Sequence, residues 1–438
     1  MFRLRSLSFR ASLAILIAIA TCLALSSPAR AADKKKKKPQ PAAEQPAGPT
    51  KFPFDPKALV WPGSPALPRI HWLDYFTGQK IDYSKLNAKQ AKASWMDRLA
   101  GDQPTPEKND SSQLPFQLIN PYGIAVDSKG KLYVADSKVG AIFVFNTENH
   151  DTVLIRNGFE AHFALLNCLA IDDDDRLFAT DGKLHHVLIF KPDHLVEGAI
   201  TEGLVDPVGI AIDTDNRFLY VVDTQQDQVI VYDADTYKLL RRIGTGGKKH
   251  YLTTPGDFGA PTGVAVDKDG NIYVTDTLNN RVEVFDADGA FIRAWGKSGD
   301  GPGYFARPKG IAVDADGHVW VADQMNDRLQ IFDQEGNLLT YIGVEHGLLP
   351  GQFSSLINVA IDKKNRVYTA EQYPGRVQMF QYVTDSEALA NKAKHDEELE
   401  KAAEVRRAAR ANKSAAPAPE DAKPTPDKPA EPATQPRP

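Results

Sequence analysis

A short apolar strand ending in aspartate recurs six times in this chain, and that recurrence decides what the chain can fold into. The copies span residues 123–127, 168–172, 209–213, 263–267, 310–314 and 358–362. Each is followed by a polar turn, such as Lys268-Asp269-Gly270-Asn271, and then by a second strand. The second strands carry an aromatic in register: Tyr133, Phe178, Tyr220, Tyr273, Trp320 and Tyr368. Three residues on comes an acid: Asp136, Asp181, Asp223, Asp276, Asp323 and Glu371. Nine residues after every acid stands another aromatic: Phe145, Phe190, Tyr232, Phe285, Phe332 and Phe380. Nine residues also separate the two acidic positions in five copies; the third has ten, the extra one falling near Asn216.

Short strands with turn signals, repeating every 41 to 54 residues, describe four-stranded antiparallel blades set around an axis. The first strand of each copy is apolar on both faces because it is innermost and packed on both sides, with a small alanine near the axis. Fourth strands follow at residues 238–244, 290–296 and 337–343. The sixth copy has none, since a polar, helix-forming stretch follows Phe380. Residues 69–76 carry the alternation of a fourth strand, and pairing them with the sixth copy closes the ring and removes its edges. The expected fold is all-β, a six-bladed β-propeller over residues 67–384 with an N-terminal strand closing the ring. An insertion at about residues 79–112 is expected to hold a helix over 88–99, with Gly101 just past its end.

The ends read differently. Arg3, Arg5 and Arg10 precede an apolar run over residues 11–25, and Ala29-Arg30-Ala31 offers a cleavage site, so residues 1–31 are read as a secretory signal. The run is short for a membrane span. Lipid attachment at Cys22 is the competing reading, opposed by Thr21 before it and the apolar residues after it. Residues 32–66 read as a disordered linker and 414–438 as a disordered Pro/Ala-rich tail. Residues 385–413 read as a charged helix with a Glu397–Lys401 pair at the stabilising spacing. The location expected is periplasmic or secreted. The chain has only two cysteines, Cys22 and Cys168; cleavage leaves Cys168 alone, read as a small core residue. A net charge of −5 over 438 residues offers no basic footprint for nucleic acid.

The fourth to sixth copies resemble NHL repeats: Pro302-Gly303-Tyr304-Phe305 leads into Pro308-Lys309-Gly310 and on through Asp323, Asn326 and Arg328 to Phe332. Pro255-Gly256-Asp257-Phe258 and Pro350-Gly351-Gln352-Phe353 repeat its loop. The resemblance implies a six-bladed propeller, while its functions range over RNA and protein binders, bacterial surface and periplasmic proteins, and the peptide α-amidating lyase. That lyase binds zinc through histidines just before alternate inner strands. Here those slots hold Tyr122, Asn167, Val208, Thr262, Lys309 and Ile357, so the lyase site is missing where the family defines it. The loop histidines His162, His185, His186, His250 and His346 are read as solvent-facing. Arg281, Arg328 and Arg376 are read as cross-strand partners of Asp276, Asp323 and Glu371. The Asp-Gly segments at 267–271 and 314–318 are read as hairpin turns, since a calcium loop needs a distal glutamate they lack.

The functional reading is a monomeric binding or scaffold propeller that recognises a peptide, glycan or protein partner on its loop face. The six slot residues serve as its ligand-binding set, with no metal and no cofactor. A metal-dependent lyase or hydrolase is the alternative.

Overall fold

The computed structural model describes residues 52–80 apart from 64, 65 and 67, then 115–156, 163–246, 254–343, 346–384 and part of 386–404. The signal segment, the helix expected in the insertion, His162, His250 and the C-terminal tail lie outside the described residues. Among the described residues there are six antiparallel sheets, each following one sequence copy. Their innermost strands are Pro121–Val126, Leu166–Ile171, Pro207–Asp213, Gly263–Val266, Pro308–Val313 and Leu356–Ile361. Blades one to five each add three further strands in simple up-and-down order.

Blade six closes the ring as expected. Ile70–Phe76 pairs antiparallel with Arg376–Tyr382, with Ile70 opposite Tyr382 and Phe76 opposite Val377. Ile70, Trp72 and Phe76 are buried, and the Trp72 indole donates to Gln378 Oε1 at 2.9 Å. The expectation of a disordered linker over residues 32–66 needs correction at Val60–Trp61. Val60–Trp61 adds a fifth strand to blade six. Trp61 meets the ring of Phe380 edge-on at 5.9 Å, and a large aromatic that can bury its ring against a sheet does not stay in a linker.

The core is cut into interblade slices. One hydrophobic cluster joins blades one and two through Tyr133, Leu169 and Phe190. Equivalent clusters join each successive pair, and the last joins blade six to blade one through Tyr368, Val377 and Phe145. The repeated aromatics supply the bulk of these slices. Their in-register spacing is the spacing that stacks one sheet on the next.

The two acidic columns hold the loops of the ring. Asp127 Oδ1 accepts the amides of Lys129 and Lys131, closing the first hairpin turn. Asp267 and Asp314 do the same, and their second oxygens take the Tyr273 hydroxyl and the Trp320 indole. Those Asp-Gly segments are therefore hairpin turns whose carboxylates already serve protein donors. The second column accepts amides from the loop entering its own blade: Ile119 and Asn120 on Asp136, Ala306 on Asp323, Ser354 on Glu371. Arg281, Arg328 and Arg376 lie directly across the strands from Asp276, Asp323 and Glu371, with Nε to carboxylate distances of 2.8, 2.9 and 2.7 Å. Each guanidinium also donates to carbonyls of the Pro-Gly loop, as Arg328 does to Gly301 and Tyr304. The phenyl ring of that loop is buried in all three copies (Phe258, Phe305, Phe353).

After Tyr382 the chain turns into helix at residues 386–394, and Lys401 Nζ reaches Glu397 Oε1 at 2.6 Å. No helix among the described residues is long and apolar enough to cross a membrane.

Candidate binding site

The inner strands converge at the axis so closely that side chains are excluded at one level. A Cβ on Gly123 would strike the Asn167 carbonyl, and one on Gly263 would strike the Lys309 carbonyl. Glycine at this level is thus a requirement of close backbone approach. Two blades break the rule, with Cys168 in blade two and Asn358 in blade six. Their side chains meet across the axis, the Asn358 amide donating to Cys168 Sγ at 3.4 Å.

At the level of this contact lies a pocket of about 60 Å³ on the channel axis, lined on the far side of the glycine level by Ile124, Leu169, Ile210, Val264, Ile311 and Val359. Of the six slot residues expected to form the site, Tyr122, Thr262, Lys309 and Ile357 line it, together with Cys168 and Asn358. Asn167 and Val208 are not among its lining residues and are buried. The Asn167 amide instead donates to the Pro207 carbonyl at 2.9 Å, tying blade two to blade three. Cys168 and Asn358 were missed as lining residues. Their departure from glycine at a glycine position was the available signal.

The pocket is positively biased. Lys309 is partly buried, and its ammonium has no hydrogen-bond or ion-pair partner among the described residues. Burial lowers its pKa, the nearby Arg307 guanidinium lowers it further, and Cys168 opposes them weakly. No carboxylate contributes to its environment. Its backbone is fixed, since Thr275 Oγ1 donates to the Lys309 carbonyl at 2.6 Å. The Tyr122 phenol is pushed upward by burial first, then by Cys168 and Asp206, so it stays a neutral hydroxyl. Asp206 stands on the opposite side, half-buried, its pKa raised by burial and by Asp223 against the pull of His185. Burial pushes the Cys168 thiol up to about 12, with Asn358 and Lys309 opposing. A thiol held that high is a poor nucleophile. Native protein at pH ~8 should therefore react with a thiol reagent at least about tenfold more slowly than unfolded protein. Equal rates of colour release from a chromogenic disulfide would refute the burial of Cys168.

The described loop histidines do not gather at this mouth. His185 Nδ1 contacts the Val205 carbonyl, and His346 Nδ1 pairs with Asp327 at 2.6 Å. Among the described residues, the one group with metal-compatible spacing is Asp172, Asp173 and Asp174. It lies at the hairpin turns, the other end of the channel. There Arg176 and Arg217 already bind Asp172, and Arg217 binds Asp173.

Five four-stranded sheets and a five-stranded one closed by N-terminal strands, with a pocket on the axis, define a β-propeller with an axial cavity. Residues 118–145 and 305–332 match the NHL repeat family, and residues 178–298 match the SMP-30/Gluconolactonase/LRE-like region. The chain folds as a six-bladed β-propeller, and two of its segments match the NHL repeat. It is 28% identical over 137 residues to NHL repeat-containing protein 2 of Gallus gallus, covering 27% of this chain and 19% of that protein. The Bos taurus protein of the same name is 24% identical over 201 residues, covering 43% and 24%. The chain thus matches a quarter or less of the length of these relatives. Among solved structures, virginiamycin B lyase of Staphylococcus aureus aligns over 60% of this chain and 95% of that one, at 16% identity and a TM-score of 0.45. A Bacteroides thetaiotaomicron protein of unknown function aligns over 60% and 70%, at 16% identity and a TM-score of 0.49. Likenesses at that level say nothing about chemistry here.

Proposed function

We propose that this chain is an exported binding propeller, acting in the periplasm or outside the cell, which anchors a peptide, glycan or protein partner over its channel. The anchor is an anionic group of the ligand placed beside Lys309. One observation carries this reading: the axial pocket holds a partly buried ammonium that no described carboxylate answers. Burying a charge without a counter-ion is costly, and a bound carboxylate would remove that cost. Tyr122, Thr262 and Asn358 add hydrogen-bonding groups, and Ile357 an apolar wall, the usual make-up of a ligand pocket. The net negative charge of the chain supports a partner other than nucleic acid. A metal-dependent lyase or hydrolase has less support, since the described residues place no histidine or acid cluster at this mouth.

The reading is tested by titrating the mature protein with a panel of short peptides and uronic-acid oligosaccharides. Lys309→Met should weaken whichever probe binds by about tenfold or more, the worth of a charge-assisted hydrogen bond of roughly 1.5–3 kcal/mol. Thermal stability should not fall, because the change removes a partly buried charge that no described carboxylate answers. Binding that survives Lys309→Met at full strength would remove the channel from consideration.

A further inference from the structure

We infer that the ligand is the C-terminal carboxylate of a peptide whose last residues are apolar, lying on a crescent of exposed side chains beside the channel. The inference rests on the axial pocket being the binding site, as proposed above. Two residues beyond the second acid, blades four, five and six carry Leu278, Met325 and Tyr373, where blades one to three carry Lys138, Lys183 and Gln225. Leu278, Met325 and Tyr373 are 54%, 65% and 60% exposed, and Ile119 is 58% exposed.

These loops lie at the end of the blades where the inner strands begin. The Leu278 amide donates to the Gly259 carbonyl, Met325 to Ala306, and Gln372, beside Tyr373, to Ser355. Each of those carbonyls lies two or three residues before the slot residue of its own blade: Thr262, Lys309 and Ile357. Ile119 joins from blade one, because the Gly375 turn that follows Tyr373 packs on the backbone of Leu118 and Ile119. The apolar residues thus belong to blades four, five, six and one, the blades that supply Thr262, Lys309, Ile357 and Tyr122 to the pocket.

Three observations select this occupant. A pocket of about 60 Å³ has room for a few waters, which is the bulk of a carboxylate and too small for a sugar ring. The close approach of the inner strands admits a chain end more readily than the two strands of a loop. The charge is complementary, with Lys309 unanswered by a described acid and the exposed Arg307 beside it. Large apolar side chains grouped on a surface mark a contact site, and here they adjoin the one group that would fix a chain terminus. A peptide would then run outward over Met325 and its neighbours, with its end held at the axis.

The test measures fluorescence anisotropy of three labelled hexapeptides with the mature protein. One ends in Leu-Phe-Leu as the free acid, one is its C-terminal amide, and one ends in Ser-Gly-Ser as the free acid. The apolar acid should bind about tenfold or more tightly than either control. Lys309→Met should erase the difference between acid and amide. A Leu278→Asp/Met325→Asp double variant, with its melting checked, should erase the preference for the apolar end. Equal binding of acid and amide to the parent protein overturns the inference. So does Lys309-dependent binding of uronate oligosaccharides without binding of the apolar acid, and that result leaves the axial site standing. Anion binding that ignores Lys309→Met overturns the axial site itself.

Discussion

A chain beginning at Gln79 is expected to lose cooperative unfolding or to aggregate. The deletion strips blade six of Ile70–Phe76 and Val60–Trp61 and uncovers the paired edge of Arg376–Tyr382. Ile70, Trp72 and Phe76 are buried, and burying each large apolar side chain contributes about 1.5–3 kcal/mol. Together they approach or exceed the lower end of a domain's total stability of about 5–15 kcal/mol. Their loss also opens the slice between blades six and one, where Phe76 packs with Phe145 at 5.3 Å. The naked strand would present unpaired backbone groups to another chain. Near-ultraviolet circular dichroism and gel filtration report the outcome. A monomer melting within about 2 °C of the parent, where a loss of about 5 kcal/mol or more should lower the midpoint by several degrees, would mean that the ring does not close here.

Replacing Arg328 with methionine should cost about 3–5 kcal/mol, the usual result of leaving one member of a buried ion pair behind. Asp323 is fully buried and depends on Arg328 Nε at 2.9 Å. The Asp300, Gly301 and Tyr304 carbonyls would lose their donor as well. Burial already raises the Asp323 pKa, with hydrogen bonds and Arg328 opposing it. Without the arginine the folded-state pKa moves further up, above that of the unfolded chain. The folded variant then binds a proton that the unfolded chain does not, so the penalty grows as pH rises and shrinks as pH falls from about 7 towards about 4. Adding Asp323→Asn should recover part of the loss, because the pair is coupled. Urea denaturation at several pH values decides it. A penalty under about 1 kcal/mol and flat with pH would make these ion pairs ornamental.

Much of this architecture can be read from spacing alone. The constant distance between acid and aromatic places one residue in the loop clamp and the other in the interblade slice, so the blades, the closing strand and the arginine pairs follow directly. Val60–Trp61 did not follow, because two residues carry no period and a proline-rich neighbourhood resembles a linker. The site was half legible. Tyr122, Thr262, Lys309 and Ile357 occupy slots whose position the repeat defines, and they line the pocket. Asn167 occupies the same slot, yet a partner carbonyl at Pro207 takes its side chain away. Slot number gives height along the axis and cannot reveal which neighbour claims a side chain. Asn358 and Cys168 required knowing that the glycine level is where opposing side chains can touch. The apolar arc needed exposure, which the repeat spacing does not give for Leu278 and Met325.

The central claim is that a partly buried, unanswered ammonium on the channel axis receives the ligand's anion. Reductive methylation with carbon-13 formaldehyde, with the Lys309 signal assigned by its loss in Lys309→Arg, follows that amine directly by nuclear magnetic resonance. The account predicts that Lys309 titrates below the ordinary lysine range of about 10.4, as its burial and Arg307 require. It also predicts that saturating free-acid Leu-Phe-Leu peptide raises that value while the amide leaves it in place. A Lys309 signal that titrates with the surface lysines and ignores both peptides would contradict it.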